Sequence, residues 1–130
     1  MIYLSDIRDW LKTVSNAEHY YIGKLDNKQE RSLGAYSLKQ SGAPVRAIGT
    51  DSTYSTVSVS LLLHWSNNAK ETEQEARHLF ETLYNIKDVE INQHKIYIIE
   101  LLTPEPVDVG TDDKGVYEQV IEVKFYYERK

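Results

Sequence analysis

The stretch that decides the fold is the last strand of the chain, Val116–Glu128, which reads VYEQVIEVKFYYE. Its apolar and polar residues alternate almost without a break, which is typical of a β-strand with one buried face. These thirteen residues would span roughly 43 Å when extended, at about 3.3 Å each. A typical strand has about half that length. The rest of the fold therefore has to accommodate an unusually long strand.

The two faces of this strand differ in character. One face is expected to cover the core and carries Tyr117, Ile121, Val123, Phe125 and Tyr127. The opposite face is expected to meet water and carries Glu118, Val120, Glu122 and Lys124. Near the end, the run Phe125-Tyr126-Tyr127 is aromatic on both faces, so a second cover is needed there. Either the first helix or a hairpin of the same chain provides it, or a neighbouring subunit does.

The segment before the strand, Thr103–Gly115, is rich in turn-forming residues and predicts a long loop. Connections longer than about 12 residues tend to be functional or disordered. Pro104 and Pro106 stiffen its start, while Gly110 and Gly115 loosen its end. Its three aspartates do not have the spacing of a calcium-binding loop; they are Asp108, Asp112 and Asp113. We therefore predict a docking segment that becomes ordered when a partner binds.

The other elements follow from hydrophobic periodicity and from the turn residues between them. They are a helix over Tyr3–Val14, a hairpin of His19–Gly23 and Ser32–Leu38 around the polar turn Asp26–Arg31, a brief strand over Val45–Ile48, a strand over Tyr54–Trp65, a second helix over Glu71–Asn85 and a strand over Lys95–Leu102. Lys95–Leu102 is apolar on both faces, which is typical of a central strand. The predicted fold is α+β: a single mostly antiparallel β-sheet with two α-helices packed on one face, in the order α-β-β-β-α-β-β and in one domain, 1–130.

Composition excludes several classes of protein. The 130 residues are 41% hydrophobic and 27% charged, which is ordinary for a globular domain. There is no cysteine, so disulfides and cysteine–zinc sites are excluded. A net charge of −5 argues against sequence-independent nucleic-acid binding, which needs clustered lysine and arginine. The longest strongly apolar run, Leu61–Leu63, is far too short to span a bilayer, so we expect a cytosolic protein without membrane contact.

No motif indicates catalysis or a bound cofactor. The glycines stand alone rather than forming a phosphate-binding loop, and no nucleophile-elbow pattern surrounds a serine. The histidines lack the spacing of a metal-binding pair; they are His19, His64, His78 and His94. His64 is interpreted as a polar break in a strand, and His78 as a solvated residue of the second helix. Asp112 and Asp113, placed in a flexible loop, would lack the desolvation that tunes a general acid. The expectation is a non-enzyme without cofactor or metal.

Four stretches give the chain a family resemblance. They are YYIGKLDNKQERSLGAYSL, VSVSLLLHWSNNAKETEQEARHLFETLYN, IYIIELLTPEPVDVG and DDKGVYEQVIEVKFYYER. In this order they resemble the minor capsid and tail terminator (tail completion, head–tail joining) proteins of long-tailed bacteriophages. The last stretch is similar to the family's pattern of a loop with Gly and Asp followed by a strand that ends in aromatic residues.

The resemblance implies a structural protein of the virion that is made in the host bacterial cytoplasm. Members assemble as a ring, often a hexamer, at the head-proximal end of the tail tube, stop its polymerisation and provide the surface that joins the head. The implied partners are the tail tube protein and the head–tail connector proteins, and DNA passes through without being read. Ring contacts map loosely to the loop and the last strand, and the expected interface residues are Pro104, Pro106, Asp108, Asp112, Asp113, Glu118, Glu122 and Tyr126.

Two hypotheses from other classes remain open at this point. A non-catalytic bacterial adaptor or small-ligand-binding α+β domain predicts an apolar pocket between the second helix and the sheet. A small hydrolase or nuclease would depend on Asp112, Asp113 or His64.

Overall fold

The computed structural model describes residues 2–23, 29–38 and 54–128 of the chain. Within them lie two helices, α1 (Leu4–Val14) and α2 (Ala69–Asn85), and seven strands. The strands are β1 (His19–Ile22), β2 (Ser32–Ser37), β3 (Tyr54–His64), β4 (Glu90–Ile91), β5 (His94–Leu101), β6 (Val107–Thr111) and β7 (Tyr117–Glu128). The α+β class and the predicted order of elements are confirmed in outline, with β4 and β6 as additions. The predicted strand Val45–Ile48 lies outside the described residues.

The sheet is mixed and curled into a half-barrel rather than flat. Its strand order is β1-β2-β3-β7-β5-β4, and β6 also pairs with β7. All pairs among the described strands are antiparallel except β1 with β2. The long strand β7 is therefore the central one, and it pairs with β3 from Glu118 opposite His64 to Glu128 opposite Tyr54.

The other edge of β7 is paired by two short strands in succession. β5 pairs with the second half of β7, ending at Leu101 opposite Val123, and β6 pairs with the first half from Val107 opposite Val120. Between them the Leu102 amide still donates to the Glu122 carbonyl, so only residues 103–106 leave the ladder. Together β5 and β6 act as one interrupted strand. The length of β7 is thus matched within the chain.

This arrangement corrects two predictions. Residues 103–115 are not one long loop, because Val107–Thr111 form β6 and a tight turn then leads into β7. Lys95–Leu102 corresponds to β5, which lies between β7 and β4 in the strand order, but it is not buried on both faces, because Lys95, Tyr97, Ile98 and Glu100 are exposed. A register shift between Ile96 and Ile98 interrupts the alternation of β5 and leaves Tyr97 and Ile98 exposed, although Ile96 is buried. A bulge adds one residue to a strand and moves the following side chains to the other face, which the sequence pattern does not reveal.

The predicted hairpin of β1 and β2 is also wrong, because these strands are parallel, with His19 opposite Ser32 and Ile22 opposite Ala35. A hairpin loop usually has two to five residues, whereas nine residues separate the two strands, 23–31. Nine residues reach about 30 Å when extended, which is more than twice the length of a four-residue strand. The connection can therefore return the chain to the start of β1.

Both helices contribute their apolar stripe to one core. Asn68 caps α2 by accepting a hydrogen bond from the Glu71 amide at 3.0 Å, as asparagine commonly does at a helix N-terminus. At α1, the Asp6 carboxylate reaches back to accept from the Tyr3 amide at 2.8 Å, which satisfies a free donor of the first turn. The buried residues of the helices are Ile7, Leu11, Thr72, Ala76, Leu79 and Leu83. The apolar ones form a single cluster with the buried rows of the sheet.

The aromatic end of β7 is covered by different elements of the chain on its two faces. Trp10 of α1 packs edge-on against Phe125 at 5.7 Å between ring centroids, a favourable arrangement for two aromatic rings. The first helix thus covers the core face. On the opposite face Tyr126 is half-buried and lies beside Tyr54, with the ring centroids 6.1 Å apart. Within the chain, the neighbouring strand β3 therefore shields part of the second face.

Candidate functional site

The most enclosed titratable side chain in the described part of the chain lies at the end of β3, where the side chain of His64 is 1% exposed. Its Nδ1 atom is 2.9 Å from Glu118 Oε2, on the strand paired with β3. Its Nε2 atom is 3.6 Å from Asp112 Oδ2, in the turn between β6 and β7. Both carboxylates are themselves largely shielded from solvent. The imidazole of His64, at the end of β3, therefore contacts both β7 and the turn between β6 and β7.

Asp112 also builds the turn in which it lies. Its Oδ1 atom accepts hydrogen bonds from the amides of Lys114 and Val116, each at 2.9 Å. Its own amide donates to the Val116 carbonyl, and its carbonyl accepts from the Gly115 amide. Gly115 has a φ of +82°, a conformation that favours glycine. The turn is ordered by one aspartate, and its other carboxylate oxygen faces His64.

The outer face of β7, away from the helices, carries a mixed polar and aromatic surface. The Tyr126 hydroxyl donates to Glu100 Oε1 on β5 at 2.9 Å. The Lys124 ammonium lies 5.2 Å from the centroid of the Tyr126 ring, within the range of a cation–π contact. Glu122 lies one step further along the same face, opposite Ser60. This face is half-buried and acidic, with one lysine among the glutamates.

The β5–β6 connection, residues 103–106, lies beside α2. It contains Pro104 and Pro106, and Glu105 between them lies 3.6 Å from Arg77 of α2. In β6 itself all five residues are exposed, including Val107 at 41% and Val109 at 49%. Asp108 Oδ1 accepts from the Gly110 amide at 2.8 Å, at the point where the register with β7 shifts. β6 is a strand held by its backbone, with its side chains available to a partner.

A cavity of about 340 Å³ lies beside the outer edge of β5, lined by Ile86–Val89 and Lys95–Ile99. Its wall includes the charged residues Lys87, Asp88 and Lys95. The ligand-binding hypothesis predicts an apolar pocket between α2 and the sheet, whereas this cavity lies against the segment that follows α2 and has charged as well as apolar residues in its wall. It gives that hypothesis no support.

In the parts of the chain that the structure describes, no helix is both long enough and apolar enough to span a membrane. Across residues 2–23, 29–38 and 54–128, no three or more His, Cys, Asp or Glu side chains are grouped so that they could hold a metal ion.

The sequence model of one protein family, described as bacteriophage tail terminator protein, matches residues 3–129. The chain belongs to this family. No curated protein and no solved structure matches it. The predicted resemblance to tail terminators is confirmed. As a tail terminator, the chain is a structural protein of the bacteriophage tail.

The tail terminator's predicted interface residues fall into two groups. Glu118, Glu122 and Tyr126 share the outer face of β7, since residues an even number of positions apart lie on one face of a strand. The others lie on the β5–β6 connection, β6 and the turn; they are Pro104, Pro106, Asp108, Asp112 and Asp113. The two groups meet at His64, which contacts both Asp112 and Glu118.

The sequence pattern of the tail terminator indicates His64 only as a polar break in a strand. Its even position in an alternating strand correctly places it on the face opposite Leu63. Its burial depends on the register that places it opposite Glu118 and on the turn that brings Asp112 to it. Both features involve residues that are far apart in the sequence, so hydrophobic periodicity does not predict them.

Proposed function

We propose that this tail terminator assembles as a homo-oligomeric ring, a hexamer by its family resemblance, that caps the tail tube. In this role it stops the polymerisation of the tube protein and provides the surface to which the head–tail connector proteins bind. The observation that carries the proposal is the family match over residues 3–129. Assembly takes place in the host cytoplasm, before the tail joins the head.

The sheet supports a ring because its two edges differ. A closed ring is built from head-to-tail contacts between two different surfaces of each subunit. Among the described strands, β1 lies at one end of the strand order and the short β4 at the other, and β6 borders the first half of β7 with no further strand beside it. One subunit therefore offers two unlike edges to its neighbours.

The β6 strand and its turn are the proposed contact surface on one of these edges. Exposed apolar side chains on a strand edge favour association with another chain. Val107 and Val109 provide such side chains, and the predicted interface residues Asp108 and Asp113 flank them with negative charge. The outer face of β7, with Glu122, is the proposed lining of the ring. An acidic lining repels the phosphate backbone, so DNA slides through without binding.

The proposal is tested by letting the tail tube protein polymerise alone and with the purified terminator, and by measuring tube lengths in negative-stain images. Wild-type protein is expected to bind one tube end as a ring and to shorten the length distribution. The double variant Val107→Asp, Val109→Asp is expected to fold normally and to leave tubes long. Tyr84→Asp is the matched control, because Tyr84 is 75% exposed on α2, outside this surface.

The possible outcomes test the capping function and the proposed contact surface on β6 separately. Tubes of unchanged length with wild-type protein would contradict the capping function itself. Normal capping by the double valine variant would leave that function standing and reject the β6 edge as its contact. Light scattering measures the oligomeric state of the free protein, and images of capped tube ends give the number of subunits in the ring.

A further inference from the structure

The outer edge of β5, away from β7, is paired over only part of its length. β4 pairs with the start of β5, and the Ile96 amide then donates to the Val89 carbonyl at 2.9 Å. Beyond Ile96, none of the strands that the structure describes pairs with this edge. Tyr97 and Ile98 beside it are 46% and 57% exposed. An edge with unpaired backbone groups and exposed apolar side chains favours pairing with a further strand.

The hydrogen bonds of β5 to β7 define which backbone groups face this edge. The Leu102 amide, just after β5, donates to the Glu122 carbonyl of β7. Along an antiparallel pair, residues that bond across to the partner strand alternate with residues whose amide and carbonyl point away from it. The backbone groups of Ile99 and Leu101 therefore point outward, where a further strand can pair with them.

β1, at the other end of the sheet, also has one edge that pairs with none of the described strands. On its inner edge, the amides of His19 and Gly23 donate to carbonyls in and just before β2. By the same alternation, the backbone groups of Tyr20 and Ile22 point outward. Each end of the sheet thus presents the amides and carbonyls of two alternate residues, so the two edges match in length.

The side chains at the two edges are complementary as well. Ile22 is 41% exposed and shares a face of β1 with Tyr20, which packs against the core. Beside β5 lies the cavity of about 340 Å³, far above the roughly 10–15 Å³ that one water molecule needs. Its apolar wall consists of residues that border the core: Ile86, Val89, Ile96 and Ile99. One end of the sheet therefore has an exposed aliphatic side chain, and the other has a space that admits one.

We propose that β1 of one subunit pairs with the outer edge of β5 in the next subunit, and that the Ile22 side chain enters the cavity beside β5. A second copy of this chain is the occupant, because the two matching features belong to one sheet. Within one chain, β2, β3 and β7 lie between them. A contact between two unlike surfaces of the same protein repeats head to tail, as a closed ring requires. The contact rests on the ring assembly proposed above and adds the surface of the neighbouring subunit that meets the side of the sheet on which β5 and β6 lie.

The test is disulfide cross-linking, because the chain has no cysteine of its own. The double variant Ile22→Cys, Lys87→Cys places one thiol on β1 and the other on the wall of the cavity. A disulfide requires Cα atoms within about 7 Å of each other, so mild oxidation joins the thiols only where the two surfaces meet. With the variant bound to tail tubes, we expect a ladder of covalent oligomers on a denaturing gel, up to the size of the ring. Reduction should return the monomer.

A second double variant and two kinds of control accompany this test. Ile22→Cys with Tyr97→Cys examines another residue of the cavity wall and replaces the first pair if that pair does not fold. Ile22→Cys with His78→Cys should give no ladder, because His78 is exposed on α2 about two turns before the helix ends. Each single-cysteine variant should also remain monomeric on the gel. Covalent dimers from a single-cysteine variant would show a symmetric contact between like edges and overturn the proposal.

The results distinguish this contact from the capping function. If neither double variant gives a ladder, on capped tubes or in concentrated free protein, the contact between β1 and β5 is overturned, even where the wild-type protein shortens the tubes. If the wild-type protein does not shorten the tubes, the capping function is contradicted. A ladder from the free protein would still support the contact in that case.

Discussion

β5 and β6 pair with the same strand, on the same edge and in the same direction, yet they relate to the core in opposite ways. β5 is anchored by the buried Ile96, and Ile99 and Leu101 pack against the core. β6 buries none of its five residues. The difference shows that backbone pairing and side-chain burial are separate contributions. Along one edge, β7 pairs over one half with a strand anchored in the core, and over the other, accessible half with an exposed strand.

The position of the helices accounts for this difference. α1 and α2 cover the part of the sheet that holds Phe125, where Trp10 closes the core. Because the side chains of β6 are all exposed, its stability comes from its hydrogen bonds to β7 and from the ties at its two ends. One tie is Glu105 with Arg77, and the other is Asp112 with His64. The first half of β7 is therefore expected to open more easily than the second.

The largest expected effect on stability is at the aromatic end of β7, which α1 covers. Phe125→Ala should lower the free energy of unfolding by about 3–5 kcal/mol, because it removes a fully buried ring and leaves a cavity beside Trp10. Urea denaturation followed by tryptophan fluorescence measures the change. Phe125→Leu serves as the control, since it keeps most of the apolar volume and should cost clearly less. Equal losses for the two variants would mean that the site relaxes around the smaller side chain.

Replacing a valine by alanine once on β7 and once on β6 compares the stability contributed by a buried and by an exposed side chain. Val123→Ala removes two buried methyl groups and should cost about 2–3 kcal/mol. Val109→Ala, on β6, should change stability by no more than about 0.5 kcal/mol, because the side chain is already half in water. Thermal and urea unfolding of both variants give the comparison. A cost at Val109 that approaches the cost at Val123 would show that β6 packs against something in solution.

The sequence predicts the strands and helices that form the core well and β6 poorly. Alternation in β3 and β7 and the helical periodicity of α2 are local patterns, and each is found in the structure. The pattern of β6 predicts a loop because Pro104, Pro106 and Gly110 interrupt any alternation, and its pairing depends on a partner rather than on its own composition. The parallel β1–β2 pair and the burial of His64 depend on long-range register, which hydrophobic periodicity does not encode.

An intermediate effect is expected where β6 turns into β7. Asp112→Ala should cost about 1–2 kcal/mol, because the amides of Lys114 and Val116 lose their acceptor and the contact with His64 disappears. Asp112→Asn retains an acceptor oxygen and should cost less. Urea denaturation gives the two free energies, and hydrogen exchange locates the loss. Loss of protection throughout the sheet, rather than at the turn and β6, would show that the accessible half is not a separate unit.

The smallest effect is expected at the other end of β6, where Glu105 contacts Arg77 at 3.6 Å. Both side chains are more than half exposed, so water screens the ion pair. Glu105→Gln should therefore change stability by at most about 0.5 kcal/mol. Glu73→Gln is the matched control, because Glu73 contacts the same arginine from within α2. Hydrogen exchange of the β6 amides, measured at low and high salt, distinguishes the two variants. Faster exchange in β6 for Glu105→Gln, but not for Glu73→Gln, would show that this contact holds the strand in place, even where global stability hardly changes.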